Sequence, residues 1–351
     1  MNIDISNNSI YLSDINPQNS RNIRVQLSGY GFRLNSDGVY TLYHEEPMHI
    51  LTMLFQYMDG NQFDYQLTEN TLSFIERNQR TDEEFDGFKE NALRIKNGDI
   101  DEDEFSDFRD YLDTLPRKLR DHQEKSAFHL YSTGNGANFS VPGAGKTAVV
   151  LSVYEKLRRE GIVDTLFVLG PTACFYPWID EFQAALGREP ESRVILSGLD
   201  PTHRDYIYNY DTGQHELYLV SFQTLTNDIE KLKTLFERNK VFFVVDEAHY
   251  VKRDDGLWGN AALQLSPEAE KRCVLTGTPM PRSYTDLYNI FDLLWPDNKP
   301  INRQTRLRLE HCIATDNELL AEELLNDTVG PLFYRVRKSD LGLGPQVFHP
   351  T

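Results

Sequence analysis

The stretch Asn138-Phe139-Ser140-Val141-Pro142-Gly143-Ala144-Gly145-Lys146-Thr147-Ala148-Val149-Val150-Leu151-Ser152 decides how this chain is read. A short apolar run meets a Gly-rich turn, and Gly145-Lys146-Thr147 then opens a helix-compatible apolar series through Val149, Val150 and Val153. That order spells strand, phosphate-cradling loop and helix. Small residues at Gly143, Ala144 and Gly145 let backbone N–H groups close around an anionic phosphate, while the following helix points its positive dipole end at the same place. Pro142 through Ala148 are therefore candidate nucleotide-binding residues. Lys146 is expected to reach the β- and γ-phosphates and Thr147 to hold Mg²⁺ through its hydroxyl. The full pattern G-x-x-x-x-G-K-[ST] has Gly where this chain has Ser140, so the loop alone is an incomplete match. A Gly-rich helix entry with an exposed lysine would look the same.

One hundred residues after Lys146 comes Val241-Phe242-Phe243-Val244-Val245-Asp246-Glu247-Ala248-His249. Five residues of buried type predict a central strand whose end presents two adjacent carboxylates, in a D-E-A-H box. Asp246 is the candidate Mg²⁺ ligand, and Glu247 the group that orients and polarises an attacking water. A lone Asp-Glu pair is commonly a helix N-terminus. That reading weakens once the pair follows a buried strand downstream of a phosphate loop. Thirty residues beyond Asp246, Leu275-Thr276-Gly277-Thr278-Pro279 again ends an apolar strand. Its hydroxyls and Gly turn could sense the γ-phosphate's neighbourhood and pass the signal to another surface, although T-G-T-P by itself is only a turn.

In this order and spacing the three motifs resemble the first RecA-like lobe of superfamily-two helicases, and specifically of Swi/Snf-type DNA translocases. Further segments match that family's landmarks. Leu119-Arg120-Asp121-His122-Gln123 looks like its L-R-x-x-Q element, which implies adenine recognition by Gln123. Phe167 to Thr172, followed by Trp178 and Glu181-Phe182, resembles a segment that touches nucleic-acid backbone, as does Val220 to Leu225. The resemblance thus implies Pro171, Thr172, Ser221 and Thr224 as backbone contacts, and Thr276, Gly277 and Thr278 as coupling residues. The run from Pro281 to Trp295-Pro296 resembles the helix packing before the cleft, and Phe333 to Lys338 the arginine-rich strand leading out of the lobe.

The resemblance covers about Arg117 to Pro345 and implies ATP and Mg²⁺ as ligands, hydrolysis of ATP, and double-stranded DNA as partner. Pro142-Gly143-Ala144 replaces the loop usual in chromatin-remodelling members, which suggests a divergent, prokaryotic branch such as serves phage defence. The family completes its site with a second lobe that supplies arginine fingers. The few residues after Arg337 are too short for one, so the expectation is a fragment of a longer protein, or a site completed by another chain, and a poor ATPase in isolation. Residues 346–351 would begin the linker. Two other readings stay open: an RNA or single-strand helicase of the same superfamily, and a nucleotide-switched module that binds a partner.

Composition narrows the class. The 351 residues are 40% hydrophobic and 26% charged, as in a globular protein of two or three domains. No apolar run approaches the ~18 residues of a membrane span, and the polar start, with Asn2, Asp4 and Asn7, is not a signal peptide. A cytoplasmic protein is expected. Cys174, Cys273 and Cys312 form no C-x-x-C pair and read as reduced and structural. The net charge of −18 argues against general affinity for nucleic acid, so any such contact needs a local basic face.

Much of that acid lies before Pro116, where 22 Asp and Glu face 9 Lys and Arg. Residues 1–116 are read as a smaller α+β domain. Ile3, Ile5, Ile10 and Leu12 suggest one short strand, Ile23, Val25 and Leu27 another, and Tyr40 to Tyr43 the closing arm of a hairpin after Ser36-Asp37-Gly38. A helical period begins at Met48, and two acidic helices are expected at Asp82 to Lys96 and Asp101 to Leu115. Their carboxylates are either a solvated face or a surface that docks a basic partner. Asp99, Asp101 and Asp103 carry calcium-loop spacing, but Glu104 stands where the loop's Gly belongs; an acid-rich helix N-terminus explains the run as well.

From Arg117 to Pro345 the pattern predicts an α/β fold: a mostly parallel sheet with helices on both faces. Its strands are expected at Phe139 to Val141, Leu166 to Leu169, Val194 to Leu196, Leu217 to Val220, Val241 to Val245, Cys273 to Leu275 and Leu332 to Tyr334. Ligands in such sheets bind at the carboxyl ends of strands, where all three motifs fall.

Overall fold

The computed structural model describes residues 1–15, 20–44, 46–210, 215–251, 256–278 and 284–341. The expected positions of Pro279, Pro281 and the linker at 346–351 lie outside these. The chain forms two compact units, Met1–Phe85 and Asp86–Thr351.

In the first unit, β1 (Asn2–Ser6) and β2 (Ser9–Ser13) pair antiparallel. The single strand read there is a hairpin. Asn7 and Asn8 turn the chain with φ of 48° and 59°, the left-handed conformation that a tight two-residue turn requires. Helix α1 (Ser20–Gly29) replaces the second expected strand. Ile23 and Leu27, four apart, are buried, whereas Val25 is 72% exposed. Then come β3 (Arg33–Leu34), β4 (Tyr40–Tyr43), α2 (Pro47–Gly60) and β5 (Gln66–Leu67), in a sheet ordered β3-β4-β2-β1-β5. Inward residues of the strands pack with Ile50, Leu51, Leu54 and Met58 of α2.

Helix α3 (Glu69–Lys96) begins thirteen residues before the expected Asp82 and crosses from one unit into the other. Next is α4 (Glu102–Leu112). Asp101 caps α4, its side chain accepting from the N–H groups of Asp103 and Glu104 at 3.0 and 3.1 Å, which accounts for the acidic run. Ile95, Phe108, Tyr111, Leu112 and Leu115 belong to the core of the second unit. The compact units divide at Phe85, whereas the sequence reading drew its boundary at Pro116, and Ile95, Phe108, Tyr111 and Leu112 of these helices lie in the core of the second unit.

That unit continues through α5 (Asp121–Thr133), β6 (Asn135–Asn138), α6 (Lys146–Arg159), β7 (Thr165–Leu169), α7 (Phe175–Leu186), β8 (Arg193–Ile195), α8 (Pro201–Tyr210) and β9 (Leu217–Val220). It ends with α9 (Phe222–Arg238), β10 (Val241–Val245), α10 (Leu257–Leu265), β11 (Lys271–Leu275), α11 (Tyr288–Leu294), α12 (Arg303–Ala314), α13 (Glu318–Val329) and β12 (Phe333–Tyr334). The seven strands pair in parallel in the order β12-β6-β11-β10-β7-β9-β8, as the α/β reading expects. Strands β7, β9 and β10 are buried along their whole length.

The first strand of this sheet is not Phe139 to Val141. It is Asn135-Gly136-Ala137-Asn138, polar in sequence yet buried between β11 and β12. Tertiary bonds satisfy its amides: Asn135 Oδ1 accepts from the Arg272 N–H at 2.8 Å, and Asn138 Nδ2 donates to Ser126 Oγ at 2.9 Å.

Candidate functional site

The phosphate loop leaves the carboxyl end of β6 and runs into α6. Gly143 and Gly145 have φ of 83° and 81°, a backbone region that L side chains rarely adopt. Gly145 is required a second time: a Cβ there would stand 2.1 Å from Gln123 Nε2. That amide donates to the Ala144 carbonyl at 2.9 Å, while Gln123 Oε1 accepts from the Arg120 N–H at 2.9 Å. The candidate adenine-binding residue thus braces the loop from below.

Ser140, where the motif has Gly, is buried and bonded in three directions. Its N–H donates to Asn138 Oδ1 at 3.1 Å, its hydroxyl accepts from the Val336 N–H at 3.0 Å, and its carbonyl accepts from Lys146 Nζ at 2.9 Å. Burial lowers the Lys146 pKa, opposed by the carboxylates of Glu247 and Asp246. Those two residues follow β10, two places from β6 in the sheet, with β11 between. The N–H of Asp246 donates to the Leu169 carbonyl at 2.8 Å. Its side chain accepts from the Glu247 N–H and from Trp178 Nε1, both at 2.9 Å. The Cys174 thiol also contacts Asp246, and burial together with the two carboxylates pushes it up to about 12. Glu247 has φ 51° and ψ 50°, a strained conformation for a residue with a side chain, and pairs with His249 Nδ1 at 3.1 Å.

The coupling segment leaves β11. Thr276 is buried, donating its N–H to the Asn138 carbonyl and accepting the Thr278 N–H at its hydroxyl, both at 3.2 Å. A Cβ on Gly277 would lie 3.0 Å from Pro142 Cδ, so this turn packs against the phosphate loop. Folding therefore gathers Gln123, Pro142 to Ala148, Asp246, Glu247 and Thr276 to Thr278 around the ends of β6, β11 and β10.

The candidate nucleic-acid residues lie apart from these, after β7 and β9. Thr172 is exposed and Pro171 half-buried. Ser221 caps α9, and Thr224 is buried, its hydroxyl donating to Ser197 Oγ at 3.1 Å. Sequence reasoning missed Ser197, which also accepts the Ser221 N–H at 2.7 Å, because nothing local marks it. It missed the role of Trp178 too: the indole is buried and bonded to Asp246.

The residues present suit Mg²⁺ and a nucleotide. Lys146 uses only one of its N–H donors, on Ser140, and among the described residues the Thr147 hydroxyl has no hydrogen-bond partner. A free hydroxyl and a carboxylate held by fixed donors are an oxygen pair of the kind that magnesium takes.

The sequence matches the SNF2-related domain over residues 103–347. The chain belongs to the SNF2-related family. It is similar to human TATA-binding protein-associated factor 172, 28% identical over 190 residues, which covers 50% of this chain and 10% of that protein. It is also similar to the DNA excision repair protein ERCC-6-like of Danio rerio, 26% identical over 246 residues, 64% of this chain and 16% of that one. Among solved structures, the Sulfolobus solfataricus SWI2/SNF2 ATPase core domain superposes with a TM-score of 0.52 at 22% identity, over 65% of this chain and 45% of that one. That likeness is one of fold, and with the seven-stranded parallel sheet it bears out the RecA-like architecture expected of the second unit. The chain spans 10% and 16% of the length of those two relatives. Among the described residues no helix is long and apolar enough to cross a membrane.

Proposed function

We propose that the SNF2-related lobe binds ATP and is half of an ATP-dependent motor acting on double-stranded DNA. The observation that supports this most directly is the gathering of the Gly143 to Thr147 loop with Asp246 and Glu247 at the carboxyl ends of β6 and β10, which flank β11. Backbone N–H groups of the loop and the start of α6 would bind phosphate oxygens, with Lys146 swinging from Ser140 onto the β- and γ-phosphates. Thr147 and Asp246 would hold Mg²⁺, which when bound neutralises charge on the phosphates. Glu247 would orient the attacking water, and Gln123 would read adenine from beneath the loop. Pro171, Thr172 and the α9 N-terminus set by Ser221 and Thr224 would meet DNA phosphates, contacts that read no sequence.

Efficient turnover would need a second lobe, since arginine fingers contribute about 10³ to 10⁵ in rate in related nucleotide hydrolases. The placement in phage defence is supported only by the Pro142-Gly143-Ala144 departure. ATPase rate is to be measured with and without duplex DNA, on this chain and on the longest natural reading frame containing it. DNA stimulation in the longer protein, abolished by Lys146→Ala, supports the motor. Binding of ATP without turnover in either would replace it with a nucleotide-switched partner-binding module.

A further inference from the structure

At the β12 edge of the sheet, the second unit forms a half-open cavity of about 560 Å³. Its walls come from the end of α3 and the turn after it, from α5, α13, β12 and the turn at Tyr284 to Leu287. Four cations line it, Lys96, Lys125, Arg335 and Arg337, against one carboxylate, Glu322, in a chain whose net charge is −18. Among the described residues none of the four side chains makes a salt bridge, although the Asp340 carboxylate accepts the Arg337 N–H at 2.7 Å and lies within electrostatic reach of its guanidinium. Lys96 is exposed as a residue, while its ammonium is bonded to the Gly330 carbonyl and lies 4.2 Å from the centre of the Phe333 ring. Desolvation brings it down to about 8. The rest of the wall mixes apolar and aromatic side chains, including Leu325, Val329 and Phe333, with the polar Asn326.

Four cations beside Leu325, Val329 and Phe333 favour a ligand with an apolar body and an anionic end. The volume suits a small molecule and cannot admit a nucleic-acid duplex. The same wall is tied to the phosphate loop. Phe139, which lines the cavity, donates its N–H to the Tyr334 carbonyl at 2.8 Å, and Val141 donates to the Val336 carbonyl at 3.1 Å. The Val336 N–H in turn reaches the hydroxyl of Ser140, whose carbonyl holds Lys146.

We propose that this cavity binds a small organic anion, an aromatic or apolar body carrying phosphate, sulfonate or carboxylate, and that residues 334–337 transmit its occupancy to the phosphate loop. The site stands without the nucleotide reading; its coupling rests on that reading.

Anilinonaphthalene sulfonate, an aromatic sulfonate, is the probe, titrated into the full chain by fluorescence and calorimetry. One saturable site per chain is expected. It is unchanged by Lys146→Ala and weakened about tenfold or more when Arg335→Glu and Arg337→Glu remove charge-assisted contacts. Both arginines are exposed, and a thermal melt checks folding. Lys125→Glu, on the wall formed by α5, gives an independent reading with the same expected direction. Saturating probe should also shift the affinity of Mg²⁺–ATP in the native chain but not in Ser140→Gly. Absent or non-saturable binding, or binding indifferent to these charge reversals, overturns the site. Loss of the probe with Lys146→Ala would place it in the phosphate loop and overturns the site as well. ATP affinity equal with and without bound probe overturns the coupling; if Lys146→Ala also leaves ATP affinity unchanged, it is the nucleotide reading that has failed.

Discussion

The indole N–H of Trp178 donates to Oδ2 of Asp246 at 2.9 Å, joining α7 to the end of β10 across 68 residues of chain. The donor is buried and its acceptor is a carboxylate, so this bond belongs to the stronger class, with a contribution of about 1.5 to 3 kcal/mol. Trp178→Phe keeps an aromatic ring in the core and removes the donor. The expected result is a stability loss of about that size in urea unfolding, because Asp246 loses a partner. A higher Mg²⁺ requirement for nucleotide binding should accompany it. Unaltered Mg²⁺ dependence would show that the Leu169 and Glu247 contacts suffice to hold Asp246.

Gly145→Ala should be among the most damaging small changes to the loop. It sets a Cβ 2.1 Å from Gln123 Nε2 at a φ of 81°. Strain of this kind costs about 1 to 3 kcal/mol before any steric penalty. Adding Gln123→Ala removes the clash and leaves the strain. A double-mutant cycle by thermal unfolding should therefore show the pair less destabilised than the sum of the singles, with coupling of about 1 kcal/mol. Additive effects would mean that Gln123 can move aside freely.

Glu247 sits in the left-handed region with φ 51°, a conformation that costs stability and that the proposed water-orienting role would explain. Glu247→Asn, with a residue more tolerant of that conformation, should keep or raise the melting stability, by up to about 1 kcal/mol, while abolishing turnover in the longest natural protein. Undiminished turnover would remove Glu247 from the water-orienting role.

Ser140→Gly restores the full phosphate-loop pattern and is nevertheless expected to destabilise. It deletes the acceptor of the Val336 N–H, a group buried at 4% exposure, and an orphaned buried donor costs about 1 to 3 kcal/mol. A lowered melting temperature checks this; an unchanged one would mean that water replaces the hydroxyl.

His129 provides a pH signature. Fully buried, its Nε2 lies 2.7 Å from the Pro331 carbonyl, and since a carbonyl only accepts, Nε2–H is the donor and that tautomer is the one present. Burial pushes its pKa down to about 4 from 6.5. Above pH 6.5 the ring is neutral folded and unfolded, with no pH effect. As pH falls from 6.5 to 4 the unfolded chain takes up a proton that the folded chain refuses, so stability drops by an amount on the order of 3 kcal/mol. His129→Gln retains an N–H donor and cannot titrate. Denaturant unfolding across that range should show a shallower pH slope for the variant, and an equal slope would assign the acid sensitivity elsewhere.

Local pattern was enough wherever an element is buried on every side or ends in turn chemistry. Leu217 to Val220 and Val241 to Val245 read as strands because no polar residue interrupts them. Asp246-Glu247 and Thr276 to Thr278 read as site residues because each follows an apolar run, and the phosphate loop because of its own Gly-rich turn chemistry. Other segments lacked that clarity. Ile23, Val25 and Leu27 fit both periods, and only the burial of Ile23 and Leu27 beside an exposed Val25 selects the helix.

What needed the folded chain are the relationships between distant residues. Asn135 to Asn138 has no strand propensity, and it forms the strand beneath the phosphate loop because β11 and β12 pair with it on both sides and Arg272 and Ser126 satisfy its amides. Likewise, the grip of Trp178 on Asp246, of Gln123 on Ala144 and of Ser140 on Val336 are bonds between segments 21 to 196 residues apart. Sequence carries the chemistry of each group, since that resides in the side chain. Which groups meet is settled by close packing, which leaves a buried donor or acceptor stable only where a partner from elsewhere in the chain arrives.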